Sequence, residues 1–333
     1  MSDGRAVAVL GDGGWGTALA LLLHGYGHQV RLWSAFPQYA EELRRRRENV
    51  KFLPGVELPT DLRITASERE TVDGVELALI AIPTRYLRQV LRRFRPVVPT
   101  SLPVVSGTKG LELRTLRRPS EVVTEVLGSR RVAVLSGPSH AEEVARGLPA
   151  SVVAASRWRR LAGQVQELLS GPTFRVYTSR DVVGVELGAA VKQIIALAAG
   201  ICDGLGLGDN AKAALMTRGM AEIARLGVAL GAQRKTFGGL SGIGDLITTC
   251  ISRHSRNRAV GEAVGRGRPL GEVVGEMVMV AEGVDATRGV RTLARRAGVE
   301  MPITEQVYQV LFRGKDPLQA VSDLMLRRPK REH

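Results

Sequence analysis

The fold is decided near the N-terminus, by the stretch Val7-Ala8-Val9-Leu10-Gly11-Asp12-Gly13-Gly14-Trp15-Gly16-Thr17-Ala18-Leu19-Ala20-Leu21-Leu22-Leu23. Its apolar start predicts a buried strand, its G-x-G-x-x-G segment a tight turn, and its end a helix that packs on the sheet. Gly11 permits the turn, Gly13 lets the backbone approach a pyrophosphate, and Gly16 lets the helix lie close to the strand. The free N–H groups at the start of the helix attract the same anion. The stretch therefore predicts a dinucleotide-binding turn.

Short β-branched runs alternate with helical patterns as far as residue 177, which is typical of a mostly parallel sheet covered by helices. The predicted strands are 7–10, 28–33, 75–82, 103–105, 131–135, 150–155 and 174–177. The predicted helices between them are 15–24, 38–47, 86–93, 121–127, 141–146 and 159–169. These patterns do not predict the order of the strands in the sheet.

The strand patterns stop after Asp181, and the rest of the chain shows helical patterns broken by glycine. The predicted helices are 182–202, 211–230, 256–264, 287–297 and 303–312. We therefore predict an α/β fold, with an N-terminal Rossmann-like, doubly wound, mostly parallel sheet and a C-terminal all-α domain. The predicted boundaries are 1–179 for the dinucleotide-binding Rossmann domain, 180–326 for the all-helical substrate and catalytic domain, and 327–333 for a basic tail.

The composition is that of a soluble globular protein, with 44% hydrophobic and 24% charged residues among 333. The net charge of +14 makes nucleic-acid binding an alternative. However, the arginine clusters at 44–47, 92–95 and 157–160 are spread over several predicted helices, and aromatic residues are only 4%. The charge therefore favours an anionic small molecule, which a positive field steers toward its site.

Nothing in the sequence indicates export, membrane insertion or a metal site. Met1 to Arg5 lacks a leader pattern, and no run of about eighteen apolar residues occurs. The two cysteines, Cys202 and Cys250, lack C-x-x-C spacing, and the five histidines lack H-E-x-x-H spacing. We therefore expect a cytoplasmic protein with reduced cysteines and no metal.

The residues after the second strand leave the choice between NAD and NADP open. An NAD site is expected to have an acidic residue there for the ribose hydroxyls, but Ser34-Ala35-Phe36 follows Trp33. Arg31 and the arginines at 44–47 are candidates for holding the 2′-phosphate of NADP. Asp12 is a further departure, because a carboxylate inside an anion-binding turn lowers affinity unless its side chain points away.

Two lysines stand in settings that suggest chemistry, in a chain where only seven of the 47 basic residues are lysine. Lys192 lies in the nearly apolar segment 182–202, where burial would lower its pKa and suit it to act as a general acid or base on a carbonyl or alcohol. The alternative is a lysine that extends from the helix edge to water. Lys109 follows the predicted strand 103–105, at the sheet edge where ligands bind in open α/β folds.

Other polar groups are predicted at the same crevice. Ser136-Gly137-Pro138-Ser139 follows a strand, and Ser139 with Glu142 forms an S-x-x-E capping box that opens a helix. In a later glycine-rich segment, Asp245 is either a ligand-binding residue or a simple helix cap. Ser255-Arg256-Asn257 starts a helix, where a guanidinium and the helix dipole form a good phosphate site, with a lone surface arginine as the alternative.

Together, these residues resemble the bacterial type of NAD(P)-dependent sn-glycerol-3-phosphate dehydrogenase over nearly the whole chain. The matching blocks, all in one order, are 11–18, 49–54, 107–110, 136–139, 184–192, 208–210, 217–219, 242–246, 255–257 and 280–284.

The resemblance implies a two-domain reductase that passes hydride between a nicotinamide and C2 of dihydroxyacetone phosphate, supplying sn-glycerol 3-phosphate for phospholipid synthesis. It implies that Lys192 is the catalytic lysine, the general acid in reduction and the general base in oxidation. The implied substrate positions are Lys109, Gly137, Ser139, Lys192, Asp245, Ser255, Arg256 and Asn257. The implied cofactor positions are Gly11, Gly13, Gly14, Trp15, Gly16, Phe52, Lys109, Ala141, Arg256, Val280 and Glu282. We also expect NADP or NAD without a metal, and a homodimer.

The chain departs from that family at two positions. Gln193 stands where asparagine is usual, and Ala35 where a polar or basic residue is expected beside the adenosine. Three alternatives stay open: a β-hydroxyacid dehydrogenase with a related helical domain, a non-catalytic NAD(P)H-binding protein, and a basic nucleic-acid binder.

Overall fold

The computed structural model describes residues 4–129, 131–329 and 331–332. Its strands are β1 (Ala6–Leu10), β2 (Gln29–Trp33), β3 (Glu48–Asn49), β4 (Leu53–Glu57), β5 (Arg63–Thr65), β6 (Leu77–Ile80), β7 (Val104–Ser106), β8 (Val132–Ser136), β9 (Ala150–Ser156) and β10 (Phe174–Ser179). The main sheet has the order β10-β9-β8-β7-β6-β1-β2-β5, and only the β8–β9 pair is antiparallel. The predicted mostly parallel sheet is confirmed.

The helices are α1 (Gly14–Gly25), α2 (Pro37–Arg46), α3 (Glu68–Val72), α4 (Thr84–Phe94), α5 (Pro119–Leu127), α6 (Ala141–Ala145), α7 (Arg159–Leu169), α8 (Val182–Gly204), α9 (Gly208–Ala229), α10 (Asp245–Ile251), α11 (Arg256–Gly265), α12 (Leu270–Gly275), α13 (Glu282–Arg296), α14 (Pro302–Arg313) and α15 (Pro317–Met325). A 3-10 turn at Arg234–Gly238 and a π turn at Leu240–Gly244 lead into α10. In the described part of the chain, no strand follows Ser179. The C-terminal part is therefore all-α, as predicted.

The strand order reverses at β1, which fixes where a ligand can bind. From β1 the chain proceeds to β2 and β5 on one side, and then returns to β6 on the other side of β1. One apolar cluster, including Leu19 of α1, covers one face of the sheet, and another, including Leu91 of α4, covers the opposite face. A doubly wound sheet of this kind binds ligands outside the carboxyl ends of its strands at the point of reversal, here β1 and β6.

The glycine turn after β1 has the predicted geometry. Gly11 has a φ of +113°, a conformation that favours glycine. A Cβ atom on Gly16 would lie 1.8 Å from the carbonyl oxygen of Gly11, so only glycine lets α1 start against the turn. A Cβ atom on Gly13 would meet no atom within 4 Å, which leaves open space beside the backbone there.

Helix α8 forms the core of the C-terminal part and contacts α9, α10, α11, α13 and α14. By length and composition it could cross a membrane, but 89% of its most apolar window is buried inside the protein. Its contact with α11 is very close, because a Cβ atom on Gly200 would lie 2.0 Å from the carbonyl oxygen of Arg258. On the other helix, a Cβ atom on Gly261 would lie 2.0 Å from the carbonyl oxygen of Leu197. Glycines on both helices therefore let the two backbones touch.

A buried carboxylate joins the two parts of the chain. Glu186 of α8 accepts hydrogen bonds from the backbone N–H of Ser120 at 2.8 Å and from its hydroxyl at 2.7 Å. Nη1 of Arg118, just before α5, lies 2.8 Å from the same carboxylate. The sheet ends at Ser179 and α8 begins at Val182, while the exact domain boundaries stay a prediction. In the predicted tail 327–333, residues 330 and 333 lie outside the described residues.

The predicted elements are all present, most of them with shifted ends. The largest shift is in α13, which was expected to begin at residue 287 and begins at Glu282. Seven further elements were not predicted: β3, β4, β5, α3, α10, α12 and α15. They have two to nine residues each, too few for a clear period in the sequence.

Candidate active site

Two lysines and an aspartate meet where the end of the sheet faces the C-terminal helices. Nζ of Lys192 on α8 lies 2.5 Å from Oδ1 of Asp245 and 2.5 Å from Oγ1 of Thr249. Nζ of Lys109, in the loop after β7, lies 3.0 Å from Oδ2 of Asp245 and 3.1 Å from the carbonyl oxygen of Gly137. One carboxylate on α10 therefore joins ammonium groups from both parts of the chain.

Burial and mutual contact set the charges of this cluster. Lys192 is only 4% exposed, so it does not extend to water. Burial lowers the pKa of Lys192 to about 8, against the opposing effect of Asp245, and the charge of Lys109 lowers it further. Burial alone would raise the pKa of Asp245, but Lys109 and Lys192 bring it below its usual value. The cluster thus holds an ionised carboxylate beside a lysine that can exchange its proton near neutral pH.

The segment predicted to bind phosphate caps helix α11. Oγ of Ser255 accepts the backbone N–H of Arg258 at 3.3 Å, and α11 begins at Arg256. Nη1 of Arg256 donates to the carbonyl oxygen of Val280 at 2.8 Å, while the residue as a whole is exposed. A guanidinium therefore lies at the positive end of a ten-residue helix, an arrangement suited to an anion.

Gln193, the departure from the family pattern, has a partner of its own. Its Oε1 accepts from Nδ2 of Asn257, which joins α8 to α11. Oδ1 of Asn257 in turn accepts the backbone N–H of Gly283 at 2.9 Å, near the start of α13. Both ends of the Asn257 amide thus already have protein partners, and the longer side chain of Gln193 supplies one of them.

The unexpected carboxylate of the dinucleotide turn points away from the turn. Oδ2 of Asp12 accepts the hydroxyl of Ser34 at 2.5 Å, and both residues are buried. Burial raises the pKa of Asp12, and the bond to Ser34 opposes that rise. Nδ2 of Asn49 donates to the carbonyl oxygen of Asp12 and to Oγ1 of Thr17, both at 2.7 Å. These side chains stabilise the turn on its buried side. The side next to Gly13 stays open to an anion.

The turn fits a dinucleotide. Gly13 caps α1 without any side-chain bond, so no side chain occupies the amide donors at that end. A Cβ atom on Gly14 would lie 2.7 Å from the carbonyl oxygen of Phe52 and 3.5 Å from Cβ of Ala141, so these predicted cofactor positions are neighbours. Nε1 of Trp15 is buried without a hydrogen-bond partner. Among the described residues, no group of three or more His, Cys, Asp or Glu side chains is placed to hold a metal ion.

Glu282 links the start of α13 to the sheet domain. Its Oε1 accepts the backbone N–H of Thr84, the first residue of α4, at 3.0 Å. Burial raises the pKa of Glu282 to about 7. The predicted cofactor positions Val280 and Glu282 therefore lie beside Arg256 and α4 respectively, on the side of the C-terminal helices.

The capping box predicted at Ser139 is wrong. Helix α6 is capped at His140 without a side-chain bond, and the hydroxyl of Ser139 donates to the carbonyl oxygen of Gly137 at 3.0 Å. Gly137 has a φ of +147°, and this turn brings the hydroxyl back toward the strand end. Ser139 and Lys109 therefore share the carbonyl oxygen of Gly137, so two predicted substrate positions meet there.

Three of the arginines suggested for a 2′-phosphate, Arg31, Arg44 and Arg47, bind backbone carbonyls of the sheet domain. Arg31 donates to the carbonyl oxygens of Glu70 and Asp73, and Arg44 donates to that of Ile64 at 3.0 Å. Arg47 likewise donates to two backbone carbonyls at 3.0 and 3.1 Å. The guanidinium that reaches Ala35 belongs instead to a residue of α4, Arg93.

Sequence reasoning missed the partners that position these groups. Thr249 lies one helical turn after Asp245, a spacing that has meaning only once α10 is known to be a helix. In the sequence, Ser34 was notable only because it stands where an acidic residue is expected. In the structure, its hydroxyl donates to the carboxylate of Asp12. Both contacts depend on tertiary placement, which local sequence patterns do not contain.

Two family models match the chain almost from end to end. The model for the N-terminus of NAD-dependent glycerol-3-phosphate dehydrogenase matches residues 6–162, and the model for its C-terminus matches residues 181–322. Glycerol-3-phosphate dehydrogenase [NAD(P)+] of Moorella thermoacetica is 53% identical over 323 residues, covering 97% of this chain and 96% of that protein. The enzyme of the same name from Chlorobium phaeobacteroides (strain BS1) is 52% identical over 329 residues and covers 98% of both.

Solved structures show the same architecture. Glycerol-3-phosphate dehydrogenase from Coxiella burnetii superposes with a TM-score of 0.94 at 41% identity, covering 97% of this chain and 99% of that one. The yeast enzyme superposes with a TM-score of 0.81 at 26% identity, covering 96% and 99%.

Proposed function

The chain belongs to the NAD-dependent glycerol-3-phosphate dehydrogenase family, and on that premise we propose how its residues carry out the reaction. It is an oxidoreductase that uses NAD(P)H to reduce dihydroxyacetone phosphate to sn-glycerol 3-phosphate. The observation that carries the proposed mechanism is the contact of Lys192 and Lys109 with the single carboxylate of Asp245.

In reduction, Lys192 acts as the general acid. A nicotinamide dinucleotide held by the glycine turn would supply the hydride for C2 of the substrate, which leaves negative charge on the carbonyl oxygen. Nζ of Lys192 gives its proton to that oxygen, so one hydride and one proton together convert the ketone to the alcohol. In oxidation, the neutral amine takes the hydroxyl proton. Burial favours both directions because it brings the pKa of Lys192 to about 8.

Asp245 and Lys109 position and balance Lys192. The carboxylate holds Nζ of Lys192 from one side while Thr249 holds it from another, which fixes the direction of proton transfer. Lys109 keeps Asp245 ionised and adds a positive charge where the alkoxide forms. Ser139 and Gly137 line the same strand end and complete the proposed substrate positions.

The N-terminus of α11 binds the substrate phosphate in this proposal. Its support is the guanidinium of Arg256 at the start of a helix that Ser255 caps, where burial of the charged group lowers its pKa although the residue as a whole is exposed. Asn257 contributes by holding α8, α11 and α13 together, because its amide is bonded to Gln193 and Gly283.

The test is turnover with matched substrates. Mixing the protein with dihydroxyacetone phosphate and NADPH or NADH is expected to consume the reduced cofactor, seen as loss of its absorbance. Cofactor binding without turnover would instead identify a non-catalytic NAD(P)H-binding protein, and turnover of a carboxylate substrate without phosphate would identify a β-hydroxyacid dehydrogenase. Salt-sensitive retention on DNA would favour a nucleic-acid binder.

The biological setting is part of the same proposal. We propose that the chain forms a cytoplasmic homodimer that supplies sn-glycerol 3-phosphate for phospholipid synthesis. We also propose a cofactor domain at 1–179, a catalytic domain at 180–326 and a basic tail at 327–333. The buried course of α8 and the two free, buried cysteines support the location. Light scattering on the purified protein tests the dimer, since a monomer mass would contradict it.

A further inference from the structure

Beside the end of β2, Arg93 of α4 forms an ion pair with Glu68 of α3, close to where the adenosine end of a dinucleotide is expected to bind. We propose that Arg93 binds the 2′-phosphate of NADPH, and that its pairing with Glu68 sets the preference between NADPH and NADH. The inference deepens the proposed function by naming the residues that distinguish two cofactors differing at one ribose position.

Arg93 is held at this place from three sides. Its Nη1 lies 3.4 Å from the carbonyl oxygen of Ala35, and its guanidinium carbon lies 5.0 Å from the centre of the Trp33 ring. Its Nη2 lies 2.5 Å from Oε1 of Glu68, at the start of α3. Ala35 follows β2, where dinucleotide-binding folds of this type hold the adenosine ribose. The guanidinium of Arg93 is therefore fixed beside the position where the 2′ substituent of the adenosine ribose is expected to bind.

Arg93 keeps donors free for a ligand. A guanidinium has five N–H groups, and the contacts with Ala35 and Glu68 engage only some of them. Its side chain is 42% exposed, so solvent reaches the remainder. A planar, fixed fork of this kind suits a phosphate. By contrast, Arg31, Arg44 and Arg47 are bound to backbone carbonyls.

The acid at this end of the sheet comes from Glu68. Two other carboxylates near this end of the sheet already have partners: that of Asp12 is buried and accepts the hydroxyl of Ser34, and that of Glu70 accepts the hydroxyl of Thr65. Oε1 of Glu68, which faces Arg93, is buried, so the other oxygen of this 24% exposed side chain is the one that can accept a ribose 2′-hydroxyl, as the acid after β2 does in NAD sites. The same negative charge repels a 2′-phosphate. Arg93 thus offers hydrogen-bond donors to the 2′-phosphate of NADPH, and Glu68 offers an acceptor to the 2′-hydroxyl of NADH.

The experiment compares binding of two fragments to the free protein. Calorimetry gives the Kd of 2′,5′-ADP, which carries the 2′-phosphate, and of 5′-AMP, which lacks it. Arg93→Gln is expected to weaken 2′,5′-ADP binding by about 10-fold or more and to leave 5′-AMP within about 2-fold. Glu68→Gln is expected to tighten 2′,5′-ADP binding. The ratio of kcat/KM for NADPH to that for NADH should move in the same two directions.

Matched variants make the result decisive. Arg92→Gln removes an exposed charge from the adjacent position of α4 and should change neither fragment. Arg93→Lys keeps the charge without the fork, and an intermediate affinity for 2′,5′-ADP is expected even if Arg93→Gln does not fold. Equal weakening of both fragments, or no change in either, would overturn the inference. If the wild type binds 2′,5′-ADP through Arg93 but turns over neither cofactor, the proposed function fails and this inference stands.

Discussion

Lys192 can serve as a proton donor because its burial lowers its pKa to about 8, while Asp245 stabilises the protonated form. Its Nζ is enclosed by Asp245 and Thr249, and the lysine is 4% exposed. An exposed lysine with an ordinary pKa would hold its proton too tightly for efficient exchange near neutral pH.

We expect Lys192→Ala to lower kcat by a factor of at least about 10², because the transferring proton donor is removed. Steady-state rates with dihydroxyacetone phosphate measure this. Lys235→Ala removes an exposed lysine of the same half of the chain and should leave kcat unchanged. An unchanged kcat in Lys192→Ala would remove that lysine from the mechanism.

The pH dependence should differ in sign between the two directions. Reduction needs the protonated lysine, so its kcat/KM is expected to fall above pH about 8, the pKa that burial gives Lys192. Oxidation needs the neutral amine, so its kcat/KM is expected to rise toward the same pH. Profiles in both directions, measured on one preparation, check this. A reduction profile that stays flat through pH about 9 would contradict it.

The sequence indicated which single residues are suited to chemistry, but it did not predict which of them contact each other. The apolar surroundings of Lys192 and the strand-end position of Lys109 marked each lysine for chemistry. Nothing local linked them to Asp245, which is 53 residues beyond Lys192 and 136 beyond Lys109. Asp12 shows the same limit, since its partner Ser34 follows a different strand.

Among the elements, the close crossing of α8 and α11 depends most strictly on glycine. Glycines on both helices bring each backbone within reach of the other's carbonyl groups. Protein interiors are close-packed, so a methyl group placed there has to push the helices apart.

We expect Gly261→Ala to reduce the free energy of unfolding by about 1–3 kcal/mol, because its Cβ atom would lie 2.0 Å from the carbonyl oxygen of Leu197. Urea unfolding measures the change. Gly163→Ala is the matched control, since Gly163 also lies in a helix, α7, and its Cβ atom would meet no atom within 4 Å. That control should be stabilising by about 0.5–1 kcal/mol. Equal stability of the two variants would contradict the close crossing.

The sequence predicted elements well where they are long. Strands of the parallel sheet and helices such as α8 have clear periods or apolar runs, and they lie close to where they were expected. Helix α10 was not predicted because it has only seven residues and follows a π turn in which two of the five residues are glycine. The strand order was also beyond local patterns, because pairing between β1 and β6 joins segments separated by two other strands of the same sheet.

On the scale of the whole molecule, Glu186 ties the helical part to the sheet part. Its carboxylate is 3% exposed and faces Arg118, whose side chain is 15% exposed. Burial raises the pKa of Glu186, and the charge of Arg118 opposes that rise.

We expect Arg118→Ala to lower stability by about 3–5 kcal/mol, because it leaves a buried carboxylate without its cation. Differential scanning calorimetry should then show a lower Tm. Arg117→Ala removes an exposed arginine that pairs with Glu125, and it should change stability by about 1 kcal/mol or less. A calorimetric trace for Arg118→Ala that matches the wild type would show that Glu186 does not need this partner.

Because Asp245 contacts both Lys109 and Lys192, the two parts of the chain must match each other for the cluster to form. Lys109 comes from the sheet part, and Asp245 with Lys192 comes from the helical part, so neither half encodes a complete proton-transfer centre. Chimaeras that join the sheet part of one relative to the helical part of another must therefore restore a geometry of about 3 Å across the junction before they regain activity.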